Sequence, residues 1–479
     1  MGIRSNFVWQ FHRHYDIIKN LKCAAEKEDS HMYAPLYHTL CTLAQQGGVR
    51  MHMPGHKGRA MTPLFSAAAI DYTEIPPTGN LYTGEGPIAQ AEEAAAAAWG
   101  AEHAYFLTGG STQGIMASLA LCAAPGSTIL LDRNTHRSFF NAMALLDLHP
   151  VYLYEATAEH ISAALAQHPE IQTVCITSPT YYGVISDIAA AAAVCREHGA
   201  KLFVDEAHGA HFPFAGAGSC AIGHGASICV CSAHKTLPAL GSGALLLTDS
   251  SFSPAAVREK TAMFGTSSPS YAVMASIDWA RAYLEGEGGR AYRRCAGWVH
   301  QLRTEINRRN VFHALSSEDG LALDPTRLTV NTARAGLDGR HAGALLEQQF
   351  QIWPEMDNRD CIVCILTCSD TETDIDRLSD ALKALEAHAG NAPLPPCGAP
   401  PEPDICCSVR SAVFSPRTSV PLKKAGGSIS AVSIAPYPPG VPVVAPGERI
   451  TPSVLSYLTQ IGYDMSAPIS VLSKGVQSG

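Results

Sequence analysis

KLFVDEAHGAHFPFAGAGSCAIGHGASICVCSAHKTLPALGSGALLLTD, residues 201–249, contains three apolar runs, KLFV, SICVC and GALLLTD. Each is bounded by turn-forming residues and is too short for a helix, so each reads as a strand. Near-continuous apolar strands are buried on both faces, as in parallel sheets. Working outward toward the N-terminus, STILLD, VYLYE and TVCITSP repeat the pattern. Helical stretches lie between them: DIAAAAAVCREHG, with Gly199 suited to the position after a helix end, and the Ala-rich AQAEEAAAAAWG, which stops at Gly100. Strand–helix alternation from about residue 90 to about 250 predicts an α/β fold with a mostly parallel sheet covered on both faces. Ligands of such sheets sit beyond the carboxyl ends of the strands, so those ends are where chemistry is to be sought.

In order, the strand ends read TGGST (108–112), RNTHRS (133–138), SPTYYG (178–183), DEAHGAH (205–211) and SAHK (232–235). TGGSTQG opens the helical stretch GIMASLALCAA, so its backbone N–H groups and hydroxyls can meet a phosphate at a helix N-terminus; taken alone, the turn is a weak signal and a plain N-cap is the simpler account. Asp205 follows KLFV, where a carboxylate is costly without a cationic partner. A protonated pyridine nitrogen would be such a partner, and capping of the next helix is the alternative. Lys235 ends an apolar strand; desolvation there lowers a lysine pKa, and a neutral amine is what forms a Schiff base. A lone Lys at a strand end is commonly a snorkelling surface residue. The combination is what carries information, because a cofactor with a phosphate, a ring nitrogen and a carbonyl needs an anion cradle, a carboxylate and a nucleophilic lysine together.

The chain of 479 residues has room for a large α/β domain and a smaller one. The expected division is an N-terminal arm over 1–50, a large domain over 51–310 and a small α+β C-terminal domain over 311–479, with the Pro-rich NAPLPPCGAPPEPD as a linker around 391–404. A net charge of −9 without a Lys/Arg block speaks against nucleic-acid binding. No stretch is long enough to span a bilayer and the N-terminus lacks a signal-peptide core, so a cytoplasmic protein without membrane contact is expected. The 15 cysteines read as free thiols, with neither a disulfide framework nor a metal site.

MPGHKGR (53–59), DYTEI (71–75), GPI (86–88), TGGSTQG, RNTHRS, SPTYYG, DEAHGAH, SAHKTLPALGSGA, TSSPSYAVMASID (266–278) and PYPPGVPVVAPGE (436–448) occur in one order. In them the chain resembles the ornithine/lysine/arginine decarboxylases of the fold-type-I, aspartate aminotransferase-like class, over roughly residues 35–290 and after about 415. It is similar to the short form of the family, the arginine enzymes of polyamine synthesis, without a receiver-like wing domain. The resemblance implies pyridoxal 5′-phosphate (PLP) bound covalently by Lys235, with Asp205 at the ring nitrogen and His136 stacked on the ring. It implies a phosphate cradle of Gly110, Ser111 and Thr112. Ser232 and His234 are placed near the phosphate or the lysine, and His208 is placed at the cofactor. Ser267, or Thr266 beside it, would reach the phosphate in a neighbouring subunit, which implies a homodimer with shared sites and leaves a higher homo-oligomer open.

The implied reaction is α-decarboxylation of a basic amino acid, arginine to agmatine first, then lysine or ornithine, with the proton to Cα coming from Lys235 or His234. Arg137, where the family pattern has Lys, and the loop NLYTGEGPI are departures near the substrate mouth. Another fold-type-I reaction, transamination or side-chain cleavage, would call for a carboxylate-binding arginine, for which Arg327, Arg334, Arg410 and Arg417 are candidates. A non-catalytic paralogue acting as a binding subunit would be expected to lack Lys235 or Asp205, and both are present. For the distal cation of the substrate, the expected reader is Glu448, held after Pro-rich turns, although a solvent-facing Glu after a turn explains it as well; Glu85 is next.

Overall fold

The computed structural model describes residues 32–46, 50–51, 53–54, 57–59, 63–436 and 440–473. Most of the expected N-terminal arm, Gly55 and His56 of MPGHKGR, and Tyr437 to Pro439 of the Pro-rich tail lie outside the described residues. The helix Pro35–Gln46 is the described part of the arm; it is fastened through backbone N–H donation from Leu36 and Tyr37 to the buried Asp278 carboxylate.

Seven strands form the main sheet in the order β1-β7-β6-β5-β4-β2-β3. They are β1 (His103–Leu107), β2 (Thr128–Asp132), β3 (His149–Leu153), β4 (Thr173–Thr177), β5 (Lys201–Asp205), β6 (Ile228–Cys231) and β7 (Ala244–Thr248). Strands β3, β2, β4, β5 and β6 pair in parallel, and β7 runs antiparallel between β6 and β1. Burial on both faces is visible residue by residue. Leu202 and Val204 pack into one apolar cluster while Phe203 between them packs into the other, and Cys229 and Val230 divide in the same way. A strand alternates its side chains, so two dry clusters require two covered faces, and that is why these segments are apolar without alternation. Phe203 is fully buried; its truncation to Ala would cost about 3–5 kcal/mol.

The parallel arrangement sets the site, because the carboxyl ends of β2, β4, β5 and β6 all open on the same edge. Gly100 and Gly199 end their helices with φ of 70° and 71°, as their positions demanded.

A second sheet of four antiparallel strands, β8 (His313–Ala314), β9 (Arg327–Asn331), β10 (Met356–Asp357) and β11 (Cys361–Ile365), has the order β10-β11-β9-β8. It is covered by the long helix Gly289–Arg309 and the helix Glu372–Leu385. The Pro-rich stretch 391–404 has no regular structure and leads to a third small layer, in which β12 (Arg417–Pro421) and β13 (Pro468–Leu472) pair antiparallel. Cys361 and Cys364 do stand in C-x-x-C spacing, but three residues apart on β11 they belong to different apolar clusters on opposite faces and cannot meet. The described cysteines are free thiols. No helix among the described residues is long and apolar enough to cross a membrane.

Candidate active site

Five strand ends and one remote segment build one pocket, lined by Ser111, Asn134, His136, Thr177, Pro179, Tyr181, Asp205, Ala207, His208, Lys235 and Val441. The lysine arrives on a single helical turn, Ala233–Thr236, directly after β6. Its amine is largely desolvated, and burial lowers its pKa against the opposing pull of Asp205. Asp205 ends β5 and is buried; its Oδ1 accepts from the Ala207 N–H at 3.2 Å. Desolvation raises its pKa to about 6, against the lowering effect of Lys235. A buried carboxylate in that state is one that a bound cation would stabilise.

His208 stands between the lysine and Arg327. Its Nε2 lies 3.1 Å from Lys235 Nζ and its Nδ1 3.2 Å from Arg327 Nη2. Burial, reinforced by Lys235 and Arg327, holds its pKa well below the usual value, so the ring is neutral. A guanidinium has only donors, so Nδ1 must accept, and the single ring hydrogen sits on Nε2, facing Nζ. Burial lowers the lysine's pKa, which favours the amine form that a Schiff base requires. Arg327 is in turn held by the Tyr181 carbonyl at 3.1 Å and lies 4.0 Å from Asp324, whose carboxylate pairs with His211 at 3.1 Å. Tyr181 packs edge-on against His208 with ring centroids 4.8 Å apart.

His136 caps the helix Arg137–Leu146 with Nδ1, which lies 2.8 Å from Ser138 Oγ. Burial, then Lys235, then Arg137, lower its pKa to about 4, so it presents an uncharged ring to the pocket. Gly110 opens the helix Gly110–Cys122 with φ of 69° and no side-chain cap, and Ser111 lines the pocket at the helix N-terminus. The Ser232 hydroxyl is buried with no partner among the described residues, as are those of Thr108 and Thr177. Orphaned hydroxyls around an uncapped helix start are donors awaiting an acceptor. Asp132, buried and raised to about 6 by desolvation, takes the N–H groups of Asn134 and Thr177 and so ties the β2 and β4 ends together.

Several expected residues stand elsewhere. The Nδ1 of His234 faces the Gly243 carbonyl at 2.8 Å, and His234 does not line the pocket. Thr112 is half-buried beside Ser111. Thr266 and Ser267 are exposed outside the pocket of their own chain; the Thr266 carbonyl accepts from Tyr82 Oη at 2.9 Å. Glu85 is an exposed residue at the start of the helix Gly86–Trp99. Glu448, expected to read the distal cation, is engaged within the chain. It is buried, its Oε2 pairs with Arg133 at 2.9 Å and accepts the Ala445 N–H at 2.8 Å, and it is not a lining residue. The Pro-rich turns do hold it rigidly, but against a cation of its own chain.

Of the four unassigned arginines, Arg327 is the one in contact with the site; Arg334 meets Asn310 and Arg410 meets carbonyls of Ala144 and Leu145. Tyr181 had a motif, SPTYYG, but no role, and Arg327 had a residue type but no place. Asp324, which lies against Arg327, carried no signal, and His211, which pairs with Asp324, closed the DEAHGAH motif without a role.

The fold and the pocket define a class: an aspartate aminotransferase-like, fold-type-I large domain with a buried lysine and aspartate at adjacent strand ends, joined to a smaller C-terminal portion. Within that class the family model "Orn/Lys/Arg decarboxylase, major domain" matches residues 34–318, and "Orn/Lys/Arg decarboxylase, C-terminal domain" matches 408–464. The chain belongs to the Orn/Lys/Arg decarboxylase family and is a decarboxylase. It is 30% identical to an arginine decarboxylase of Bacillus subtilis, over 88% of this chain and 92% of that one. It is 22% identical to a lysine decarboxylase of Pseudomonas aeruginosa, covering 88% of this chain and 75% of that one. Among solved structures, lysine decarboxylase A of Pseudomonas aeruginosa superposes with a TM-score of 0.79 at 18% identity, covering 95% of this chain and 82% of that one. A structure of SPT with PLP superposes with a TM-score of 0.55 at 15% identity, covering 75% and 85%.

Proposed function

We propose that the protein decarboxylates arginine to agmatine and CO₂, with PLP bound at Lys235. The observation that carries the reading is the Asp205–Lys235–His208 group: a buried carboxylate, a largely desolvated lysine and a neutral imidazole at one sheet edge. The arginine preference is supported by the 30% identity to a Bacillus subtilis arginine decarboxylase over nearly the whole of both chains.

The donor set suits the cofactor. In this reading Lys235 holds it covalently, Asp205 faces its ring nitrogen, and His136 lies on its ring, uncharged and apolar enough to stack. Gly110, Ser111, Thr112 and Ser232 surround its phosphate, with His208 beside the lysine. When bound, the cofactor supplies an electron-withdrawing ring that takes the electron pair left as CO₂ departs. Asp205, kept anionic by that neighbour, holds the ring nitrogen in its protonated form. Lys235 would stand ready as the acid that delivers a proton to Cα, with His208 beside it as a hydrogen-bonding partner. His234, engaged with Gly243, is less suited to deliver one.

Exposed Thr266 and Ser267 support a homodimer in which each chain completes the phosphate site of the other. The proposed division of the chain is a large domain over 51–310 and a C-terminal domain over 311–479, the latter carrying the second sheet and the β12–β13 layer. The test is incubation of the purified protein with arginine, lysine and ornithine, with chromatography of amine products and CO₂ capture. Agmatine as the fastest-formed product is expected. Keto-acid formation without CO₂ would favour transamination, and faster cadaverine or putrescine would move the substrate.

A further inference from the structure

The end of β5 carries two neighbouring carboxylates with different surroundings. Asp205 lines the pocket with Lys235, whereas Glu206 is buried away from it. Glu206 Oε1 and Oε2 accept the Ala221 N–H at 3.0 and 3.1 Å, and Oε2 accepts from the Cys231 thiol at 3.5 Å. No lysine, arginine or histidine acts on it among the described residues. A carboxylate enclosed without a cation is costly, so this spot in the fold calls for one.

Its neighbours decide which cation fits. A carboxylate oxygen of Glu206 and the sulfurs of Cys220 and Cys231 lie within 4.8 Å of one another, and all three residues are buried. They come from the end of β5, the loop ahead of the short turn Ala221–His224 and the last residue of β6, so no close spacing in the sequence announces them. Cys229, two residues before Cys231 on the same face of β6, has its thiol against Glu206 and Cys231 and is where a fourth bond would come from. A buried cysteine by itself is an ordinary small apolar residue; the unpaired carboxylate among these thiols is what sets them apart. In a tetrahedral zinc site, bonds of about 2.3 Å to sulfur and about 2.0 Å to oxygen place the two ligand atoms about 3.5 Å apart. Cys231 Sγ and Glu206 Oε2 already stand at 3.5 Å. Two thiolates and a carboxylate bring three negative charges, of which a divalent ion leaves one, and the Ala221 N–H faces that remainder. Thiolate ligands select zinc over the oxygen-seeking magnesium and calcium. Binding releases the thiol protons to solvent and oxidises nothing. Cys220 follows directly on the exposed Gly218 and Ser219, so local opening of that short loop gives the ion its way in.

We propose that Glu206, Cys220 and Cys231 form a buried zinc site that clasps the ends of β5 and β6. Asp205 adjoins Glu206, and Lys235 follows Cys231 by one helical turn, so the ion braces the two strand ends that carry the carboxylate and the lysine of the pocket. The site is separate from the pocket and does not depend on which amino acid is decarboxylated.

The experiment uses the full chain with its cofactor, stripped of metal and dialysed without oxygen against zinc and a competing chelator, with bound metal counted by elemental mass spectrometry. Wild type is expected to hold about one zinc per chain and to unfold at a higher temperature with zinc than without. Cobalt(II) in place of zinc should add thiolate-to-cobalt charge-transfer absorption in a difference spectrum. Cys220→Ser and Glu206→Gln should each weaken zinc binding by more than the roughly tenfold that an outer-shell contact contributes. The double variant Cys406→Ser/Cys407→Ser, which removes an adjacent pair of partly exposed thiols, should bind zinc as wild type does. Should Cys220→Ser fail to fold, alkylation of wild type replaces it, with zinc expected to slow labelling of Cys220 and Cys231 as read by peptide mass. No zinc uptake by wild type, uptake that Cys220→Ser keeps and the Cys406/Cys407 double variant loses, or equal labelling with and without zinc overturns the site.

Discussion

Glu448→Gln separates a recognition role from a fastening role at the end of the Pro-rich tail. In the structure Glu448 and Arg133 form an ion pair at 2.9 Å with side-chain exposures of 3% and 13%. The pair is elaborated by the Ala445 N–H, by the Tyr152 hydroxyl at 3.4 Å and by the Arg133 guanidinium over the Tyr152 ring at 4.8 Å. Removing the charge from one member leaves the other buried and uncompensated, which costs about 3–5 kcal/mol when the partner is fully enclosed. Gln still accepts from Ala445, and Arg133 keeps some contact with water, so the expected loss is nearer the value of a charged hydrogen bond, about 1.5–3 kcal/mol.

The assay is urea unfolding of wild type, Glu448→Gln, Arg133→Met and the double variant, read as midpoints at constant slope. Each single variant should lower the midpoint, and the double should be more stable than the sum of the singles predicts, because the second change removes the stranded partner. Preference among arginine, lysine and norleucine should be unchanged. An unfolding free energy within about 0.5 kcal/mol of wild type, together with a tenfold loss confined to cationic substrates, would refute the fastening role and return Glu448 to substrate recognition.

Lys235→Ala is expected to show no cofactor mass adduct after borohydride reduction, whereas wild type carries one; a retained adduct would locate the attachment elsewhere. Asp205→Asn should still bind the cofactor, seen by its visible absorption, while losing at least about a hundredfold in kcat, because a neutral partner cannot hold the ring nitrogen protonated. Near-normal turnover would make Asp205 structural. Inactive Lys235→Ala chains mixed with inactive Thr266→Ala/Ser267→Ala chains should regain part of the activity once subunit exchange is shown by mass spectrometry; no regain counts against shared sites. Glu206 is buried, accepts from the Ala221 N–H and the Cys231 thiol, and is pushed up by desolvation to about 8. A raised carboxyl stabilises the fold below its unfolded value of 4.5, and the contribution is lost as pH rises toward 8. Wild type should therefore lose stability over that window by up to about 1.4 kcal/mol per pH unit, and Glu206→Gln should flatten the curve in denaturant titrations; an unchanged slope would show that another group sets it.

Much of the molecule was legible from local pattern. The apolar runs KLFV and SICVC had to be strands covered on both faces, since no amphipathic alternation is present, and a buried parallel sheet fixes which ends open on a ligand. The combination of motifs at those ends singled out Lys235 and Asp205 as candidates, and both stand in the pocket at that edge. Gly100 and Gly199 end helices because a left-handed residue is needed there. Local sequence could not tell which distant groups meet at that edge. Arg327 lies on another sheet, and only the docking of that sheet brings its guanidinium to His208, where it favours the imidazole tautomer whose Nδ1 accepts. Glu448 shows the converse: its sequence context predicted a rigidly held carboxylate, and tertiary packing put a cation of the chain itself, Arg133, against it. Backbone propensity and burial act over a few residues and can be read in order along the chain, whereas ion pairing and tautomer choice depend on distances of about 3 Å between residues hundreds of positions apart, which only the packed chain determines.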